Sequence, residues 1–200
     1  MQFSPLIDKL INDLRCLPGV GPKTAQRMAF FLLERNREGA KQLANTLIEA
    51  VSQIGLCKNC HTFTETTICS ICTSTNRDQS KLCIVETPAD IRAIEQSTGY
   101  KGYYYVLMGH LSPLDGIGPE QLKLNELEAR IASDTKITEV ILATNPTAEG
   151  EATAHYIAES LKPFNINATR LAHGIPMGGE LEYVDSSTLS HAFQDRKKYY

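Results

Sequence analysis

The sequence predicts a multidomain α+β chain: an N-terminal helical unit, a small metal-binding module, and an α/β unit on a mostly parallel sheet. Three observations carry that expectation. Apolar residues recur at helical spacing from Leu6 to Ile54. Four cysteines then stand as two C-x2-C pairs, Cys57/Cys60 and Cys69/Cys72. From Lys81 onward short apolar runs alternate with helical patterns, the order that builds a parallel sheet with crossover helices. The expected boundaries are 1–54, 55–78, 80–175 and a C-terminal segment, 176–200.

Composition limits the function classes. With 42% hydrophobic and 22% charged residues, the 200-residue chain is an ordinary folding sequence with material for at least one sizeable core. Met1 to Asp8 lacks the basic stretch and apolar core of a secretory signal. The longest purely apolar run, Met28 to Leu33, is six residues, against roughly 20 needed to span a bilayer. The expectation is a cytoplasmic protein with no membrane partner. Net charge is −3, yet residues 1–60 carry eight Lys/Arg against five acids and the remainder twelve against eighteen. A positive front on an acidic body is compatible with a nucleic-acid face, and equally with ordinary surface scatter.

In the helical unit, Ser4 and Pro5 suit the N-cap and first position of a helix striped by Leu6, Ile7, Leu10, Ile11 and Leu14. Leu17-Pro18-Gly19-Val20-Gly21-Pro22-Lys23 follows, two glycines bracketing one apolar residue in a tight turn, with Pro22 placed to open the next helix. Ala25, Met28, Ala29 and Leu32 are spaced to pack that helix back on the first, and Ala40 to Ile54 gives a third. The turn resembles the helix-hairpin-helix of DNA-binding proteins. Gly19 and Gly21 would let a phosphate approach backbone N–H groups, with Lys23 and Arg27 one turn apart on adjacent phosphates. No side chain here suits bidentate base reading, so binding is expected to ignore sequence. A purely structural hairpin joining helices or subunits is the competing account. A P-loop is rejected, because Pro22 precedes Lys23 where glycine is needed and no strand comes before.

Cys57-x2-Cys60-x8-Cys69-x2-Cys72 points four thiolates at one centre, which suits one structural zinc per chain in tetrahedral coordination with no open position for water. His61 is the only substitute ligand nearby. Lys58 is the only basic residue of the finger apart from His61, and Glu65 offsets it, so the module is expected to position its neighbours rather than read nucleic acid. Cys16 and Cys83 stand alone in apolar contexts, and Cys83 reads as a core residue.

In the α/β unit the expected strands are Leu82 to Glu86, Tyr103 to Met108, Glu139 to Ala143 and Asn167 to Leu171. The helices are Pro88 to Ser97, Pro119 to Ser133, Glu149 to Leu161 and Ser187 to Phe193. Glu86 ends the first strand, and Asn145-Pro146-Thr147-Ala148-Glu149-Gly150-Glu151 follows the third. Both stretches converge at the carboxyl edge of such a sheet. This edge resembles that of Toprim enzymes, which carry a glutamate and an Asp-x-Asp pair for Mg2+. Here the two aspartate positions hold Asn145 and Thr147, leaving Glu86, Glu149 and Glu151. Mg2+ wants anionic oxygens, so Mg2+ is not an expected cofactor and catalytic residues are expected to be none. The glycine- and proline-rich loops 109–119 and 173–179 suit either contacts or plain connections, and His110, His155 and His173 are given no role.

The order of modules, with Leu-Pro-Gly-Val-Gly-Pro-Lys-Thr-Ala, Asn-Pro-Thr-x-Glu-Gly-Glu, Ala-His-Gly-Ile-Pro and Gly-Gly-Glu-Leu-Glu, resembles the RecR family of bacterial recombination mediators along essentially the whole chain. The resemblance implies a non-enzymatic, nucleoid-associated DNA-repair protein. It would act with RecO and RecF to load RecA on single-stranded DNA at gaps, on single-stranded, double-stranded or gapped DNA. It further implies dimers formed through the N-terminal regions and closed into a tetrameric ring, with Lys23 and Arg27 toward DNA. Glu149 or Glu151 on the Toprim surface would then face RecO. The alternative is a Mg2+-dependent Toprim nuclease or primase.

Overall fold

A computed structural model describes residues 4–172 and 174–198. The chain divides into two units, 1–54 and 55–200. The first holds three helices, α1 (Pro5–Leu14), α2 (Pro22–Glu34) and α3 (Arg37–Gln53). Pro5 and Pro22 open their helices as expected, although the Ser4 side chain makes no capping bond. Gly19 takes φ +76°, a left-handed conformation that glycine adopts without strain. Asn36 caps α3, its Oδ1 accepting from Gly39 N at 3.0 Å.

Burial in this unit departs from the helical-spacing expectation. Among its described residues only Ala25 and Ala29 are buried, while Met28 on α2 and Leu43, Leu47, Ile48 and Val51 on α3 are exposed. Apolar spacing marks a helix face correctly but does not say what covers it. Cys16 is exposed as well, against its apolar sequence context.

The second unit opens with β1 (Gly55–Leu56) and β2 (Phe63–Thr64), an antiparallel pair, and α4 (Ser70–Thr73). The remaining elements are β3 (Asp78–Val85), α5 (Pro88–Ser97), β4 (Gly102–Val106), α6 (Leu124–Ser133), β5 (Glu139–Ala143), α7 (Ala148–Leu161), β6 (Asn167–Arg170) and α8 (Ser186–Gln194). The order β4-β3-β5-β6 is parallel throughout. Residues alternate across β3: Leu82 and Ile84 join a core with Leu127, Ile131, Ile157 and Leu161, and Cys83 and Val85 a second one with Ile91 and Tyr104. Burial pushes the Cys83 thiol up to about 12, so it behaves as an apolar core residue.

Three bounds moved. β3 starts four residues before the apolar run, β4 ends at Val106, and α6 starts at Leu124 rather than Pro119. The last has a local cause. Residues 119–123 form turns, and Lys123 sits left-handed at φ +54°, which prevents a continuous helix through it.

The chain leaves β3 for β4 on one side and returns to β5 on the other, so β3 and β5 form the switch point of the sheet. Val85 pairs with Ala143, which sets Glu86 and Thr144 side by side at the carboxyl edge.

Candidate metal centre and sheet-edge site

The Sγ atoms of Cys57, Cys60, Cys69 and Cys72 lie within 4.8 Å of one another. Cys60 and Cys69 sulfurs are 3.5 Å apart, and Cys57 Sγ accepts from Cys69 N at 3.3 Å. The first three cysteines are buried and Cys72 is partly so. A divalent ion can take all four as thiolates, the donor set and closed geometry of structural zinc. His61 is not part of the cluster. It takes φ +63°, tilts over Tyr105 at 4.7 Å between ring centroids, and sets Nε2 3.2 Å from Glu126 Oε2. Burial, with the nearby Lys123 charge, lowers its pKa and favours the neutral ring.

The module is joined to the sheet through backbone. Val106 N donates to Cys60 O at 2.9 Å, and Arg130 Nη1 donates to Asn59 O at 2.6 Å and Tyr104 O at 2.9 Å.

At the carboxyl edge Glu86 is buried. Its Oε1 accepts from Asn145 N at 2.8 Å and its Oε2 from Asn145 Nδ2 at 2.7 Å, with His110 Nδ1 3.3 Å from Oε2. Both oxygens therefore hold the 145 turn. A Cβ on Gly150 would lie 2.9 Å from Glu86 Oε1 and closer still to Asn145 O, so glycine is required there. Thr147 caps α7, its Oγ1 accepting from Gly150 N at 3.1 Å. Glu149 is exposed on the first turn, where the helix N-terminus favours a negative charge. Glu151 Oε1 accepts from Arg170 Nη2 at 2.5 Å, and Arg170 Nη1 also donates to Leu142 O and Thr144 O at 2.8 Å each.

The structure thus brings Glu86 and Asn145 together and sends Glu149 and Glu151 elsewhere. Among the described residues the four cysteines are the one group of three or more side chains placed to share a metal ion. Sequence reasoning missed Arg170 and gave His110 no role; His110 flanks Glu86, while His173 lies outside the described residues. Gly19, Gly21, Lys23 and Arg27 stand at the hairpin and on the first turns of α2, and all four are exposed.

Four family models match in sequence order: RecR helix-hairpin-helix at 7–51, the RecR four-cysteine zinc finger domain at 54–74, a Toprim domain at 80–172 and the RecR C-terminal model at 174–197. The chain belongs to the RecR family. RecR membership supports a DNA-binding role as a mediator of DNA repair and recombination, with one structural zinc held by Cys57, Cys60, Cys69 and Cys72. RecR architecture also agrees with the expected combination of helical N-terminus, zinc finger and Toprim domain on a parallel sheet. Among the described residues no helix is long and apolar enough to cross a membrane.

Proposed function

We propose that this protein is a non-enzymatic, nucleoid-associated scaffold that binds DNA without sequence preference and acts with RecO and RecF to load RecA on single-stranded DNA at gaps. The observation that carries the non-enzymatic reading is the engagement of Glu86: both its oxygens hold the Asn145 turn. A nuclease or primase would need those oxygens on Mg2+, together with two acids that are here Asn145 and Thr147.

The working division is 1–54 for DNA binding and self-association, 55–78 as the zinc strut, 80–175 as the Toprim docking face, and 176–200 as a C-terminal segment. Gly19, Gly21, Lys23 and Arg27 take DNA phosphates. The exposed apolar row on α3 supports self-association of dimers into a tetrameric ring, because a second copy would cover it. Exposed Glu149 offers its carboxylate to RecO, and Glu151, held by Arg170, adds negative charge on the same helix turn.

The test is RecA assembly on gapped DNA coated by single-strand-binding protein, with RecO present. Wild type accelerates assembly, Lys23→Ala/Arg27→Ala slows it, and Glu149→Arg weakens RecO capture. A nuclease assay with Mg2+ or Mn2+ addresses the other reading. Turnover that disappears in Glu86→Ala would replace the scaffold by an enzyme.

A further inference from the structure

One face of α2 carries a feature that phosphate contact alone does not use. Lys23, Arg27 and Phe31 follow one another at four-residue spacing, which lines them along a single side of the helix. Ala25 and Ala29, both at 0% exposure, occupy another side. Beside the row runs a groove of about 490 Å3, lined by Lys23, Arg27, Phe30, Phe31, Glu34 and Arg35. Phe31 is 52% exposed and Phe30 half-buried.

The cations of this unit sort by position. Arg15 bonds to Asn12, Arg37 to Leu33 O and Lys41 to Glu38. Lys9, Lys23, Arg27 and Arg35 have no side-chain partner among the described residues, and three of those four border the groove. Three cations face one carboxylate, Glu34, so the groove favours an anion.

We propose that this groove takes a base of single-stranded DNA, stacked on Phe31, while Lys23, Arg27 and Arg35 hold the flanking phosphates. The inference rests on reading α2 as the DNA face and adds which form of DNA it prefers. A ring between cations on one helix face gives an unpaired base an apolar platform beside its own backbone charges. In a duplex the bases are already stacked and paired, so the ring has nothing to receive and only the phosphate contacts remain. Stacking accepts every base because each has a π-face, which keeps binding indifferent to sequence.

The experiment is fluorescence anisotropy with a labelled oligothymidine strand, a strand of equal length with abasic sites, and a duplex. Phe31→Ala and Phe31→Leu are each expected to weaken the oligothymidine complex by about tenfold. Duplex and abasic-strand binding should move less than about twofold, and light scattering should give an unchanged mass. The chain contains no tryptophan, so Phe31→Trp makes a sole reporter whose emission should be quenched by the strand and not by the duplex. Equal losses on strand and duplex, or a changed assembly mass showing that Phe31 seats a second copy, would overturn the inference. Lys23→Ala/Arg27→Ala separates the two levels. If it weakens every DNA while Phe31→Ala weakens none, only the stacking site fails; if it weakens no DNA, the α2 reading itself fails.

Discussion

The zinc module and the carboxyl edge of the sheet both gather metal-type donors, and they end in opposite chemical states. At the module four sulfurs approach within 4.8 Å, placed for a divalent cation to take all four as thiolates. At the edge a buried carboxylate already accepts from a backbone N–H and a side-chain amide, with His110 alongside. The difference lies less in the number of donors than in whether their lone pairs are committed. Asn145 is the pivot: its side-chain amide donates to Glu86 Oε2 a hydrogen whose place an aspartate would leave to a metal ion.

The largest expected effect is at the sulfurs. Zinc binding in such modules is worth on the order of 10–16 kcal/mol, so Cys60→Ser should abolish tight zinc retention and unfold residues around 57–72. Metal analysis of freshly purified wild type should find about one zinc per chain, and finding none would show that the four sulfurs do not hold the ion. Next is Glu86→Ala, which strands Asn145 N–H and Nδ2 without an acceptor and should cost about 3 kcal/mol by urea denaturation. A loss under about 1 kcal/mol would mean that the carboxylate is not holding the turn.

Asn145→Asp changes the commitment of the lone pairs at the edge. It sets a second carboxylate against Glu86, and like charges so close disfavour both ionised forms, at a cost of about 2 kcal/mol at neutral pH. Because the raised carboxyl pKa belongs to the folded state, the variant should lose stability as pH rises above the ordinary carboxylate range. Mg2+ should return part of that stability to the variant and leave the wild-type melting temperature unchanged. Identical responses in both proteins would show that the wild-type edge still takes metal. The smallest effect is Thr147→Ala, the lost α7 cap costing about 1 kcal/mol in the same denaturation assay.

How much the sequence revealed follows from where the determining interactions lie. Pro88 to Ser97 was legible to the residue because its signals are local: Pro88 opens the helix and Asp90 accepts from Thr87 N at 2.7 Å. The four cysteines were legible from spacing alone. The α6 start was not, because an apolar pattern runs through turns as readily as through a helix. His110 carries no local signal, because its partner Glu86 lies 24 residues away and meets it only after β3 and the 109–119 loop are in place. Arg170 gave no signal beyond lying inside an expected strand, since its acceptors are carbonyls of β5 and the following turn. On α3, spacing found the apolar face but gave no sign that it stays uncovered within one chain.

The bond from Val106 N to Cys60 O has a bearing on how the protein fails. β4 is an outer strand of the sheet, and an outer strand with free N–H groups is a template for pairing with another chain. A zinc ligand's own carbonyl occupies that position. Stripping the metal would loosen the loop that covers it and uncover a strand that itself carries the large side chains of Tyr104 and Tyr105. Zinc loss is then expected to appear as aggregation of the chain, and metal supply during synthesis becomes a determinant of yield.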